Sequence, residues 1–273
     1  MSNLIAISDA RENLPELVNR VNKYLDRFII TINGQPKATL VSLEELESLE
    51  ETAEILAIPG AKKRIQKGTE QIKKGEFVFI TGISGSGKTT LLRMLTRDLI
   101  PDKGQVIVNG IKVAKLKSNQ VHLLRRQVGV VFQDFKLLMD RTVNENIAMA
   151  LRVAGIPTKS IDKQIKKTLK LVGLETKENQ FPLQLAGGEL QRVCLARAVV
   201  ANPPILFADE PTGNLDPTTA WQIMELLKRV NEMGTTVVMA THNMDIVNSM
   251  AERIIQLDKG KVIKDLKPGR DND

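Results

Sequence analysis

The sequence has 273 residues, of which 42% are hydrophobic and 26% charged, and its 39 Lys and Arg against 32 Asp and Glu give a net charge of +7. This length holds one large domain or a medium domain beside a small one, and the apolar fraction permits a packed core, which excludes a wholly disordered chain. The single cysteine, Cys194, excludes an intramolecular disulfide, and no apolar run reaches the roughly 18 to 20 residues of a membrane-spanning helix.

Charge is unevenly distributed along the chain. Residues 1–70 hold 9 Lys and Arg against 11 Asp and Glu, whereas residues 71–273 hold 30 against 21. The basic second part would attract acidic lipid headgroups or nucleic acid, although its run KSIDKQIKKTLK (159–170) is also typical of a solvated helix face.

The N-terminus lacks the basic start and long apolar stretch of a signal peptide, so we expect no cleaved leader.

The first elements in chain order predict a small domain of strands and helices. The stretch NLIAI (3–7) is typical of a strand, and the apolar spacing over 8–25 predicts a helix that either kinks at Pro15 or restarts at Asn13. Two β-rich runs then flank the Asn-Gly pair at 33–34, which favours a tight hairpin. A leucine-rich amphipathic helix is predicted to follow, through LEELESLEETAEIL.

This order of elements resembles the N-terminal region of the Phd/YefM antitoxins, over residues 1–72. The resemblance rests on ISDARENLPELVNRV, on IITINGQPKATLVSLEELESLEET and on the polar stretch AKKRIQKGTEQIKKG. It implies an antitoxin-like domain over 1–54 that dimerises and binds DNA, with Arg11 and Arg20 as phosphate contacts. It also implies a connecting helix or linker over 55–72 that would bind a toxin.

A glycine-rich loop, GISGSGKT, follows the apolar strand EFVFIT and matches the pattern G-x-x-x-x-G-K-[ST]. Its backbone N–H groups would close around phosphate oxygens at the start of a helix, with Lys88 reaching the β and γ phosphates and Thr89 holding Mg²⁺. The loop therefore predicts a nucleotide site formed by Gly82, Ser84, Gly85, Ser86, Gly87, Lys88, Thr89 and Thr90.

A second apolar strand, PPILFADEP (203–211), ends in two carboxylates. Beside the glycine-rich loop, Asp209 is placed to hold the Mg²⁺ shell and Glu210 to activate the attacking water as general base. Alone, this stretch is also typical of any buried strand with an acidic end.

In the sequence, the stretch LAGGE (185–189) lies between the glycine-rich loop and the strand PPILFADEP. With Gln133 in VVFQDF, Asp216 in TGNLD and His242 in VVMATHN, it resembles the ATP-binding cassette (ABC) ATPases from about Lys73 to Asp265, followed by a polar tail over 266–273. The resemblance implies an α/β P-loop NTPase fold of the ABC ATPase type with a helical subdomain, preceded by a small α+β antitoxin-like domain.

The resemblance also implies roles for individual residues, with ATP as substrate and Mg²⁺ as cofactor. Glu210, His242 and Lys88 would be catalytic, and Thr89, Gln133 and Asp209 would hold the metal. Further nucleotide contacts would come from Ala186, Gly187, Gly188 and Asp216.

The stretches GEFVFITG, VGVVFQDFKLL and FKLLMDRTVNENIAMALRVAG are similar to cell-division cassettes of the FtsE type, and also to macrolide and lipoprotein exporter cassettes. The FtsE resemblance implies a homodimer with ATP between the loop of one chain and LAGGE of the other, and a polytopic membrane partner of the FtsX type. It implies a peripheral position on the cytoplasmic face of the inner or plasma membrane. A DNA-binding autorepressor with a compromised ATPase half is the alternative.

Two departures from the ABC pattern predict an impaired enzyme. The N-terminal strands that carry an adenine-stacking aromatic are missing, since no aromatic lies between Phe28 and Phe77. We expect ATP affinity to fall by roughly ten- to a hundredfold as a result. Ala186 stands where the family has a serine that donates to the γ-phosphate, so we expect slower turnover.

Overall fold

A computed structural model describes residues 3–24, 26–43, 46, 72–213 and 215–267. The chain divides into two compact units, Met1–Glu51 and Thr52–Asp273. The predicted connecting segment at 55–72, except for its last residue, lies outside the described residues, as do nearly all of the leucine-rich helix before it and most of the tail at 266–273. The boundaries at 54 and 72 therefore stay predictions.

The first unit is a three-stranded sheet with two helices in one connection. Its elements are β1 (Asn3–Ala6), α1 (Ile7–Glu12), α2 (Leu14–Tyr24), β2 (Phe28–Ile32) and β3 (Gln35–Leu40). β1 pairs parallel with β2, and β2 pairs antiparallel with β3. The small core consists of Ala10, Leu17, Val21 and Phe28.

Two local predictions for this unit are confirmed. The helix is interrupted at Asn13, whose backbone N–H and side-chain amide both donate to the Asp9 carbonyl at 3.0 and 2.9 Å. α2 restarts at once with Pro15 in its first turn, where a missing N–H costs nothing. At the hairpin, Asn33 and Gly34 have φ of +52° and +75°, the left-handed pair that a type I′ turn requires.

A six-stranded sheet forms the centre of the second unit, in the order β11-β10-β4-β9-β8-β7. All neighbours are parallel except β10 and β11. The strands are β4 (Phe77–Thr81), β7 (Val128–Val131), β8 (Ile205–Asp209), β9 (Thr236–Ala240), β10 (Arg253–Asp258) and β11 (Lys261–Leu266). A separate small hairpin joins β5 (Ile107–Val108) and β6 (Ile111–Lys112).

The helices of this unit are α3 (Lys88–Leu95), α4 (Val121–Arg125), α5 (Val143–Val153), α6 (Thr158–Val172), α7 (Gly187–Val199), α8 (Pro217–Glu232) and α9 (Met244–Met250). α5, α6 and α7 pack on one another as a helical group. The predicted parallel α/β architecture with a helical subdomain is confirmed.

The sheet places the ends of its strands where the sequence motifs begin. Every residue of β4 and β9 is buried, as expected for parallel strands that are covered on both faces. The register pairs Ile80 and Asp209 with Ala240, and Val131 with Ala208. The four segments that follow these strands therefore lie at one edge, where ligands bind in open α/β sheets.

Arg253, at the start of β10, is 2% exposed and ties three segments together. Its guanidinium donates to both carboxylate oxygens of Asp265 in β11 at 2.8 and 2.7 Å, and to Glu76 just before β4 at 3.4 Å. The hydrogen bonds and charge of Arg253 lower the pKa of Asp265. An ion pair of this kind holds the β10–β11 hairpin against the rest of the sheet.

Candidate functional site

The glycine-rich loop between β4 and α3 has a backbone that requires glycine. Gly82, Gly85 and Gly87 have φ of +151°, +80° and +109°. A Cβ at Gly82 would lie 2.4 Å from the Leu257 carbonyl oxygen and 2.4 Å from Ser86 Oγ. The loop can therefore keep this path only with glycine at position 82.

Lys88 is a buried cation inside this loop. Its side chain is 4% exposed, and Nζ donates to the carbonyl oxygens of Gly82 and Ile83 at 3.0 and 3.2 Å. Within the described residues no carboxylate pairs with it. A buried ammonium whose partners are all neutral favours a bound anion.

Two buried hydroxyl groups close to Lys88 in the sequence lack a hydrogen-bond partner among the described residues. Ser86 Oγ and Thr90 Oγ1 are buried and form no hydrogen bond within the part of the chain that the structure describes. Buried polar atoms without a partner are rare in native proteins. Together with the N-terminus of α3 and the buried ammonium, these donors fit a polyphosphate.

Thr89 and Asp209 meet where β8 ends. Thr89 Oγ1 lies 3.4 Å from Asp209 Oδ1. Hydroxyl and carboxylate oxygens suit Mg²⁺, which binds through one or two protein oxygens together with substrate phosphates and water. Gln133 follows β7, the neighbour of β8, and thus lies at the same edge of the sheet.

Glu210 and His242 form the second pair at this edge. Glu210 Oε1 lies 2.9 Å from His242 Nδ1, with the carboxylate 10% and the imidazole 67% exposed. Glu210 has φ of +43°, and its N–H donates to the Ala240 carbonyl at 3.0 Å. A left-handed conformation in a residue with a side chain costs about 1–2 kcal/mol and is concentrated at functional sites.

The residues on either side of His242 fix its backbone. Thr241 N–H donates to the Ile80 carbonyl at 3.0 Å, and Asn243 N–H donates to Thr241 Oγ1 at 3.1 Å. The side chain of Asn243 accepts from the N–H groups of Asp245 and Ile246 and so caps α9. The imidazole is thereby held at the end of β9, facing the end of β8.

The LAGGE stretch forms the start of α7. The carboxylate of Glu189 accepts from the Ala186 N–H at 3.0 Å and pairs with Lys177 at 3.1 Å, and the Ala186 hydrogen bond is the main cause of its lowered pKa. A Cβ at Gly188 would lie 2.4 Å from Thr219 Cγ2, whereas one at Gly187 would meet nothing within 4 Å. Gly188 therefore allows α7 to approach α8 closely, which sequence reasoning did not foresee.

Asp216 lies at the N-cap of α8. Its carboxylate accepts from the Thr219 N–H at 3.0 Å and from the Thr219 hydroxyl, and these hydrogen bonds lower its pKa. Among the described residues no hydrogen bond joins Asp216, Ala186, Gly187 or Gly188 to the glycine-rich loop of the same chain. Asn214, beside Asp216 in the TGNLD stretch, lies outside the described residues.

The turn between β10 and β11 supports the glycine-rich loop and was missed from the sequence. Gly260 N–H donates to the Ser86 carbonyl at 2.9 Å, and Leu257 supplies the carbonyl that Gly82 faces. Lys259 and Gly260 have φ of +44° and +71°. The signal was available, because RIIQLD and KVIKDL are β-rich runs on either side of a Lys-Gly turn.

Comparison with known families agrees with this geometry. The sequence profile of the family described as "ABC transporter" matches residues 65–213. A second profile, "Antitoxin Phd_YefM, type II toxin-antitoxin system", matches residues 3–75. The two matches overlap at 65–75 and correspond to both parts that the sequence motifs indicated.

Several curated relatives are cell-division proteins. The chain is 50% identical over 198 residues to the cell division ATP-binding protein FtsE of Streptococcus pneumoniae, a match that covers 72% of this chain and 86% of the relative. It is 48% identical over 209 residues to FtsE of Bacillus subtilis, with 77% and 92% covered.

Solved structures show the same fold. The ATP-binding cassette MJ0796, in a dimeric post-hydrolysis state bound to ADP and inorganic phosphate, is 40% identical, with a TM-score of 0.68 and 73% of this chain and 88% of that chain covered. CbiO1 of Clostridium perfringens, part of the transporter complex CbiONQ, is 31% identical, with a TM-score of 0.67 and 72% and 79% covered.

In the described part of the chain, no helix has the length and apolar character needed to cross a bilayer. The profile match extends over more than half of the sequence, and the relatives are matched over most of their own length. On these grounds the chain belongs to the ATP-binding cassette family of ATPases, with an antitoxin-like N-terminal part.

Proposed function

We propose that this protein is the ATP-hydrolysing subunit of a membrane-associated cell-division complex of the FtsE type. The observation that carries the proposal is the meeting of two pairs, Thr89 with Asp209 and Glu210 with His242, at the sheet edge where Lys88 is buried. The similarity to relatives named as FtsE supports the cellular role that we propose.

The roles of the residues follow from their chemistry. The N–H groups of the loop and Lys88 bind the β and γ phosphates of ATP. Thr89, Asp209 and Gln133 would hold Mg²⁺, which neutralises phosphate charge when bound. Glu210 accepts a proton from the attacking water while the bond from the water oxygen to the γ phosphorus forms and the bond to the ADP oxygen breaks. His242 orients that carboxylate and contacts the γ-phosphate.

The LAGGE stretch then acts on the ATP of a second copy. Ala186 is exposed at the N-terminus of α7, and no hydrogen bond joins it to the loop of its own chain among the described residues. The dimeric state of the MJ0796 cassette supports this arrangement. In our proposal each ATP lies between the glycine-rich loop of one chain and residues 186–188 and Asp216 of the other.

A groove beside β7 is our candidate for the docking site of the membrane partner. Its volume is about 530 Å³, and its lining combines apolar residues such as Phe132 and Val153 with three arginines and one carboxylate: Arg125, Arg126, Arg197 and Asp98, which pairs with Arg125. This combination fits a short cytoplasmic segment with apolar and acidic side chains, carried by a polytopic membrane protein of the FtsX type. Docking there would keep the protein at the cytoplasmic face of the membrane and link the partner to Gln133, next to Phe132.

Hydrolysis by the purified full chain tests the catalytic assignment. Glu210→Gln should reduce MgATP turnover by at least about a hundredfold, the usual loss for a general base, while ATP binding persists and the dimer accumulates. His242→Ala should also slow turnover, whereas His122→Ala, at an exposed position on α4, serves as the matched control. Turnover of Glu210→Gln at the wild-type rate, or no ATP-dependent dimer, would refute the proposal.

The metal requirement is tested separately. Removal of Mg²⁺ with a chelator should abolish turnover, and Asp209→Asn should raise the Mg²⁺ concentration needed for half-maximal activity more than it raises the KM for ATP. Equal effects on both would contradict the assignment of Asp209.

A second candidate function rests on the antitoxin profile over residues 3–75. The N-terminal unit would bind DNA or a toxin, and the chain would repress its own gene. Arg11 is exposed and available as a phosphate contact, whereas Arg20 pairs with Asp26 at 2.8 Å and lies over the Phe28 ring. Salt-sensitive binding to the promoter that is lost in Arg11→Ala would favour this candidate, and binding unaffected by the substitution would oppose it.

We also propose the division into a domain at 1–54, a connection at 55–72, an ATPase domain at 73–265 and a tail at 266–273. Limited proteolysis followed by mass spectrometry should give first cuts within 55–72. First cuts inside 77–265 would contradict it.

A further inference from the structure

The outward face of α6 carries a row of lysines, which we call the lysine stripe. Lys159, Lys163, Lys166, Lys167 and Lys170 are all exposed. With 3.6 residues per turn they fall within an arc of about 100°, and at 1.5 Å per residue they extend over about 16 Å. One side of the helix is therefore a continuous cationic strip.

The opposite side of α6 is fixed in the protein interior. Ile161, Ile165, Leu169 and Val172 are at most 5% exposed, and the helix packs on α5 and α7. The helix cannot rotate to hide the lysines without exposing these four side chains. The lysine stripe is thus permanently presented to the outside of this unit.

The stripe lacks the partners that stabilise charged helices. Asp162 is the sole acidic residue of α6, and none of the five lysines forms an ion pair with any described residue. Lys159 also lies in the first turn, where a cation opposes the helix dipole. Ion pairing within the protein therefore does not account for these lysines, whereas an external anion would.

We infer that the lysine stripe binds an anionic lipid surface. Lysines are hydrated point charges that suit a diffuse layer of headgroups, while the planar side chains that make bidentate contacts to base edges are mainly Arg, Asn and Gln. The only such residue on α6, Gln164, has its Oε1 buried. Because the apolar side of α6 is already packed, binding is electrostatic and does not insert the helix.

The position of α6 supports a membrane over a nucleic acid. α5 ends at Val153, which lines the groove that we assign to the membrane partner, and α6 begins at Thr158. This part of the argument rests on the proposed function. A partner docked in the groove would then lie close to the first turn of α6, where the stripe begins.

The expected size of the effect follows from the number of lysines. Each lysine near an anionic membrane changes the partition coefficient by about fivefold at low salt. Four substitutions should therefore weaken vesicle binding by at least about tenfold, even if only half of the charges reach the headgroups. Raising the salt from about 50 to about 500 mM should abolish binding of the wild type.

Co-sedimentation of the full chain with protein-free vesicles tests the inference. The vesicles are phosphatidylcholine, with or without about 30% phosphatidylglycerol. The stripe variant changes Lys159, Lys163, Lys166 and Lys170 to Gln. The control variant removes the same charge at four exposed lysines outside α6: Lys103, Lys112, Lys115 and Lys117.

We expect the wild type and the control variant to bind only the anionic vesicles and the stripe variant to lose binding. Equal losses in both variants would show a response to net charge alone, and absence of wild-type binding would remove the site; either result overturns the inference. So would a loss of duplex DNA binding in the stripe variant with vesicle binding retained. MgATP turnover in solution should be unchanged in the stripe variant, so this test and the test of the proposed function fail independently.

Discussion

Replacement of Arg253 by Met tests whether one buried cation holds the sheet together. Breaking a buried ion pair costs about 3–5 kcal/mol, since the remaining partner loses its compensation. The Asp265 and Glu76 side chains are 36% and 19% exposed, so water recovers part of that loss. We therefore expect the free energy of unfolding to fall by about 2–3 kcal/mol.

Trp221 provides the assay for this prediction. It is the only tryptophan and lies in α8, so its fluorescence during urea unfolding reports on the second unit. Arg253→Lys keeps the charge but loses the two parallel hydrogen bonds to Asp265, and should lie between wild type and Arg253→Met. Asp265→Asn is the matched control. It removes one carboxylate but leaves Glu76 paired with Arg253, so it separates the contribution of Asp265 from that of the whole cluster. A loss below about 1 kcal/mol in Arg253→Met would refute the reasoning, because that is the range of exposed pairs.

Four further predictions follow from the site and the core. Gly82→Ala should abolish ATP binding by displacing the loop from the Leu257 carbonyl, whereas Gly187→Ala, in open space, should leave ATP binding by the isolated chain intact; a nucleotide-binding assay decides. Cys194 is fully buried and its pKa is raised to about 12 by burial, so a thiol reagent at neutral pH should modify it only at the rate of unfolding; rapid labelling of folded protein would contradict this. Ala186→Ser should raise the turnover number, since the added hydroxyl can donate to the γ-phosphate, and an unchanged rate in a dimer that still forms would count against that contact. The lowered pKa of Glu189 adds stability above its ordinary value of 4.5 that is lost as the pH falls through the folded value, so Glu189→Gln should flatten the pH dependence of the urea midpoint below about pH 4.5.

Local signals predicted much of the fold. The Asn33-Gly34 hairpin, the interruption at Asn13 and the strand before Gly82 each depend on neighbouring residues, and the structure has all three. The order of the sheet could not be predicted in this way, because β4 pairs with β9 and β10, more than 150 residues away.

In the candidate site, too, local motifs were predicted and contacts between distant segments were not. Five site residues were identified from motifs: Lys88, Thr89, Asp209, Glu210 and His242. The register of β4, β8 and β9 brings the segments that carry them to one edge. The approach of Gly188 to Thr219 and the burial of Arg253 were not foreseen. Both depend on contacts between segments distant in sequence, and nothing in GGELQR or AERIIQ distinguishes a packed glycine or a buried arginine from an exposed one.

The left-handed backbone of Glu210 creates a conflict between stability and catalysis at one position. Glycine would occupy that conformation without steric conflict, but it would remove the carboxylate that lies against His242. Selection for thermal stability alone should therefore favour glycine at 210, which would give a more stable protein without ATPase activity. Glutamate at this position therefore keeps the carboxylate beside His242 at the cost of a left-handed backbone.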